Sequence, residues 1–199
     1  MLNLLLPAVV AAVAAGLWAR SFAGLSRLRV DWWPLGLASL TVQLVIHNPP
    51  FDQQAFALVW GPLLWVICLG AMLAVLLRNA LRPGLARVGW QLAALGVGLN
   101  LLVVVANGGY MPQSASARLA ARGATLPSDA NVTELRNVTP IGPDTRLAWL
   151  GDVIAQPGWL PRANVVSLGD LVLSLGVAGL ALSMIGRRHP HVGGIPADS

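Results

Sequence analysis

Residues 55–77 read AFALVWGPLLWVICLGAMLAVLL, 23 consecutive positions without a charged or amide side chain. An α-helix rises 1.5 Å per residue, so about 20 apolar residues cover the roughly 30 Å of a bilayer's hydrocarbon core. The stretch therefore predicts a membrane-spanning helix. Pro62 lies inside it, lacks an N–H and crowds the preceding turn. It predicts a bend that frees a carbonyl near Ala57 or Leu58.

Four more apolar runs flank this one, at 2–18, 32–47, 86–106 and 166–185. The run at 32–47 is short and needs its flanks, or a locally thin bilayer, to cross. The first run has no basic start, which favours a retained span over a cleaved signal. The 199-residue chain is 56% hydrophobic and only 11% charged, well under the ~25% usual for soluble domains. The predicted fold is all-α: a five-helix transmembrane bundle with an extracytoplasmic cap of short amphipathic helices. Residues 1–106 hold four helices, 107–165 the cap, and 166–199 the fifth helix and a tail.

All 13 basic residues are arginine, and their positions orient the chain. Arg20, Arg27 and Arg29 separate the first two helices, and the next connection has none. Arg78, Arg82 and Arg87 separate the third and fourth, and Arg187 and Arg188 follow the fifth. This alternation puts the N-terminus outside and the C-terminus in the cytoplasm. It also assigns the net charge of +5 to membrane orientation, not to nucleic acid. Trp18, Trp32, Trp33, Trp90, Trp149 and Trp159 fall near predicted interfaces, where amphipathic rings are favoured. Trp60 and Trp65 belong deeper.

Small residues predict the packing faces: Ala94 with Gly98 on the fourth helix, and Ser174 with Ala178 and Gly179 with Ser183 on the fifth. Gln43, Gln91, Asn100 and Ser174 are polar but not ionisable, and predict interhelical hydrogen bonds. Cys68, the only cysteine, predicts a buried inert thiol.

The fourth helix ends in a sharp stop, Asn107-Gly-Gly-Tyr110-Met-Pro112. Tyr110 would sit at headgroup level. SASARLAARGA predicts a short helix soon after. Asp144 or Thr145 can cap a further helix, RLAWLGDVIA, whose Leu147, Leu150, Val153 and Ile154 form one apolar stripe. Leu-Gly-Asp occurs twice, ending at Asp152 and at Asp170. Ser167 and Asp170 have capping-box spacing, and an acid in a first helical turn meets free N–H groups. Asp170 therefore reads as a helix cap. Asp152 has no such explanation and is the stronger functional candidate. Asp144, Arg146 and Asn107 stand where they can converge with the two acids.

His47, Asn48 and Asp52 offer too few ligands for a metal site. There is no Gly-rich phosphate loop, nucleophile elbow, CxxC or HExxH. No cofactor, metal or catalytic residue is predicted.

Asn107-Gly-Gly-x-Met-Pro112, Asp144-Thr-Arg-Leu147 leading to Leu150-Gly-Asp152, and Ser167-x-Gly-Asp170 together resemble a family of small bacterial multi-spanning membrane proteins classified only as a domain of unknown function. The resemblance covers the whole chain loosely and residues 107–176 best. It implies a bacterial inner-membrane protein and carries no known activity. The leading expectation is a non-enzymatic accessory or assembly subunit that binds protein or lipid through its outer cap. Its partners are then the bilayer and other membrane subunits. The alternative is an enzyme or carrier for a lipid or isoprenoid substrate at the outer leaflet, using Asp152, Asp170 and Arg146.

Overall fold

A computed structural model describes residues 29–48, 50–51, 54–122, 137–160 and 163–183. The run predicted at 2–18 lies outside the described residues. Helix α1 is Trp33–Ile46, α2 is Ala55–Ala80 and α3 is Arg87–Ala106. Strand β1 (Met111–Gln113) and helix α4 (Ala115–Arg122) follow. Strand β2 is Val138–Pro140, a 3₁₀ turn covers Ala148–Leu150, β3 is Ile154–Ala155 and β4 is Val165–Val166. Helix α5 is Leu168–Ser183. The protein is mostly helical, and α2 and α3 are long and apolar enough to cross a membrane.

Helix α3 is the centre of the packing. It lies between α2 and α5, and α1 packs on α2. The α3–α5 seam is built on absent side chains. A Cβ on Gly96 would fall 2.5 Å from the Gly169 carbonyl oxygen, and one on Gly176 would fall 2.8 Å from that of Gly89. The two helices run antiparallel with backbones nearly touching, a geometry only small residues permit. The contact uses glycines seven residues apart, Gly89 and Gly96 against Gly169 and Gly176. This corrects the predicted four-residue faces. Gly98 meets Leu73 of α2 instead, and Gly179 only flanks Gly89.

The core runs from Ile46, Trp65 and Leu69 through Ala93 and Val97 to Val103, Val104, Met111 and Leu150. Trp65 is buried as predicted, whereas Trp60 is exposed and Trp90 is buried. Large apolar side chains also face outward along every long helix, among them Leu40, Val59, Ile67, Leu95 and Leu175. Polar Asn79 and Asn100 are fully buried. The helices are thus apolar outside and locally polar inside.

The 107–165 segment departs from the prediction. Its first helix forms, as α4. The amphipathic helix predicted from Arg146 does not form. Leu147 takes a left-handed conformation (φ 52°), which stops a right-handed helix and is costly for a bulky residue. The chain makes one 3₁₀ turn and then pairs with distant strands. Strand β1 pairs in parallel with β2, β3 pairs antiparallel with β4, and Gln113 bridges to Asp152. The expected helical fold is thus met in the main, with two small two-stranded sheets added to it in this segment.

Candidate functional site

The two Leu-Gly-Asp copies meet the end of α3 from two directions. In the first, a Cβ on Gly151 would collide with the Pro112 carbonyl oxygen, so only glycine lets the strands close. The Asp152 N–H then donates to that carbonyl (2.8 Å), and the Asp152 carbonyl accepts from the Ser114 N–H (2.9 Å). Asp152 therefore sits in a strand-like bridge and not on a helix. Leu150 beside it is buried in the core.

In the second copy, a Cβ on Gly169 would collide with the side chain of Asn100. This close approach completes a buried cap at the head of α5. The Ser167 hydroxyl accepts from the Asp170 N–H (3.0 Å), and the Asp170 carboxylate reaches back to the Ser167 N–H (3.4 Å). That is the predicted capping box. Asn100, near the middle of α3's last three turns, joins it from the other helix. Its Nδ2 donates to Asp170 Oδ1 (2.8 Å), and its Oδ1 accepts from the Ser167 hydroxyl (2.9 Å). The interhelical role expected of Asn100 is thus met. Ser174 bonds within its own helix, to the Asp170 carbonyl (2.8 Å).

Asn107 acts as a piece of backbone. Its Oδ1 accepts from the Arg146 N–H (3.0 Å), and its Nδ2 donates to the Arg146 carbonyl (2.9 Å) and to that of Val103 (2.8 Å). This clamp holds the residue next to the strained Leu147. Gly108 and Gly109 (φ 68° and 93°) end α3 with a left-handed cap. A Cβ on Gly109 would fall 2.6 Å from Pro62 Cβ, so the predicted bend site in α2 packs on this stop. Asp144 and the Arg146 side chain are exposed. Asp144 lies in a turn closed by Thr145 Oγ1, which accepts from the Gly142 N–H (2.8 Å). Tyr110 is half-buried, and its N–H donates to the Asn107 carbonyl (3.3 Å).

Two residues outside the sequence candidates belong here. Gln113 Nε2 donates to Asp152 Oδ2 (3.4 Å), and the buried Arg118 donates from Nη1 to Gln113 Oε1 (3.3 Å). Neither carried a motif, since Gln113 meets Asp152 across 39 residues of sequence and Arg118 joins only through Gln113. Burial pushes the Asp152 carboxyl up to about 7, the Asp170 charge adds to the rise, and the Gln113 hydrogen bond opposes it. The two acids thus stand close enough to feel each other's charge. Asp152 is poised to exchange a proton near neutral pH, while Asp170 is committed to its cap.

The metal candidates do not assemble among the described residues. The His47 ring donates from Nδ1 to the Gln43 carbonyl (3.0 Å) and lies edge-on to Trp65, with centroids 5.5 Å apart. Asp52 is outside the described residues. No group of three His, Cys, Asp or Glu side chains among the described residues is placed to hold an ion.

No curated protein and no solved structure matches the chain. The sequence model of one family, described as "Family of unknown function (DUF5317)", matches residues 27–182. The match takes in every described helix nearly whole, together with the Asn107, Asp152 and Asp170 clusters, and the chain belongs to that family.

Proposed function

We propose that this protein is a multi-pass subunit of the bacterial inner membrane. It works without catalysis, as an accessory or assembly factor that binds a protein or lipid partner through residues 107–165. The observation carrying this reading is how the candidate polar groups are used. Asn100, Asn107, Ser167 and Asp170 are paired with one another or with backbone, and they weld the segment to the helix ends. Among the described residues of the segment, two tryptophans face outward: Trp149 is 65% and Trp159 is 81% exposed. Rings of this kind favour a membrane interface or a protein contact. The outward apolar faces of α1, α2, α3 and α5 support lipid as the surrounding solvent. Helices α1 and α5, at 14 and 16 described residues, would cross with their flanks. Resistance to alkaline carbonate extraction tests the membrane assignment. Purification from native membranes in mild detergent tests the subunit role, and a consistently solitary monomer overturns it.

One observation favours a second reading, an enzyme or carrier for a lipid or isoprenoid substrate at the outer leaflet. The Asp152 carboxyl is held near neutrality beside Asp170, as a proton-transferring group would be. In that case Asp152→Asn reproduces the lipid profile of a deletion strain. Full rescue of the deletion by Asp152→Asn sinks this reading.

A further inference from the structure

The opposite end of the bundle from Asp152 carries Arg29, Arg78, Arg82 and Arg87, with Asp31 the lone acid among the described residues there. Orientation by the positive-inside rule needs charge alone, and an acid among the arginines weakens it. Asp31 instead organises them. Arg82 bonds Asp31 Oδ1, and Arg78 Nε lies 3.5 Å from Oδ2. Arg82 also donates to the Arg29 carbonyl (3.1 Å). Asn79 fixes the backbone of Asp31 itself. Its Oδ1 accepts from the Asp31 N–H (2.8 Å), and its Nδ2 donates to the Asp31 carbonyl (3.1 Å). Two guanidinium groups are therefore positioned side by side while both stay substantially exposed.

Beside them, the α2–α3 turn presents Leu81 and Leu85, 75% and 82% exposed. Trp32 and Trp33 are exposed at the adjoining start of α1. Two bare leucines alternating with arginines make a poor water-facing turn. They make a good headgroup-layer turn, with leucine reaching acyl chains and arginine staying at phosphate depth. A guanidinium fork also matches phosphate oxygens bidentately.

We propose that this end of the molecule binds the phosphate of anionic phospholipids, with Arg29, Arg78, Arg82 and Arg87 around the headgroup and Leu81 and Leu85 in the acyl layer. The inference rests on the membrane reading above.

The test uses the full chain in a nonionic detergent, with unfolding midpoints measured on adding phosphatidylglycerol, phosphatidylcholine or inorganic phosphate. Phosphatidylglycerol should raise the midpoint by about 3 °C more than phosphatidylcholine, as a ligand selective for the folded state does. Inorganic phosphate should give no such rise. Asp31→Asn adds one net positive charge but releases the two guanidinium groups, so the preference for phosphatidylglycerol should shrink. The double variant Arg29→Gln/Arg87→Gln leaves the Asp31 contacts intact and should also shrink it. Equal shifts with both lipids overturn the proposal, as does the same shift from phosphate alone. So does a preference that grows in Asp31→Asn, since bulk charge would then be acting. If Asp31→Asn fails to fold, the double variant decides, and an unchanged preference overturns the site. A chain washed off membranes by carbonate contradicts the membrane reading instead, whereas a retained chain indifferent to lipid charge contradicts only this site.

Discussion

Asn100 Nδ2 donates to Asp170 Oδ1 across 2.8 Å where α3 meets α5, with both side chains buried. One carboxamide thereby serves the carboxylate of a helix cap and, through its oxygen, the hydroxyl of the same cap. Replacing Asn100 with Leu leaves a buried carboxylate short of a donor and a buried hydroxyl short of an acceptor. Such losses cost about 2–4 kcal/mol. Chemical unfolding in detergent should show a drop of that size, and a change below about 0.5 kcal/mol, the range of neutral surface substitutions, would contradict the assigned role.

The α3–α5 seam depends on glycine in a way that α2 does not. Gly96→Ala puts a methyl into the Gly169 carbonyl and should destabilise by about 1–3 kcal/mol, as overpacking does. Gly70 of α2 has nothing within 4 Å of an added Cβ. Gly70→Ala should therefore be neutral or stabilise by up to about 1 kcal/mol, through helix propensity. Thermal unfolding of the pair checks the contrast.

Asp152 should make stability fall as pH rises. Burial pushes its folded-state pKa up to about 7 from an ordinary value of 3.8. Between those values the folded chain holds a proton that the unfolded chain releases. The contribution is full below about pH 4, declines toward pH 7 and is gone above it, a span on the order of 4 kcal/mol at about 1.4 kcal/mol per pKa unit. Asp152→Asn should remove this slope. A wild-type midpoint that does not fall between pH 4 and 7 relative to Asp152→Asn would sink the assignment.

The Asn107 clamp should act locally. Asn107→Ala removes three hydrogen bonds at the Arg146 and Val103 backbones. Amide exchange at 145–150 should then accelerate, while exchange in the middle of α2 stays unchanged. Unaltered exchange at 145–150 would mean that the clamp does not hold that turn.

Much of the helical frame was legible in the sequence, because uncharged apolar runs are local. The helix expected at 32–47 forms at Trp33–Ile46, and that expected at 86–106 forms at Arg87–Ala106. The Ser167–Asp170 cap was legible for the same reason, since both partners lie within one turn. The misread helix around Asp152 shows the limit. Leu147, Leu150, Val153 and Ile154 do form a helical stripe on paper. Asp152, between Leu150 and Val153, takes its backbone partners from Pro112 and Ser114, about 40 residues away, and Ile154 pairs with Val166, so tertiary pairing overrode local periodicity. Asp31 with Asn79 was hidden likewise, 48 residues apart. The seam glycines were missed because antiparallel α3 and α5 meet every second turn, at seven-residue steps.

The central claim, that residues 107–165 engage a partner at the membrane surface, is tested most directly by crosslinking in intact cells. A photoreactive amino acid placed at Trp149 or Trp159 should give a discrete adduct to one protein or lipid species. The same probe at Asp144, exposed on the same segment, should give less of it. Adducts no stronger at 149 and 159 than at 144 would contradict the account.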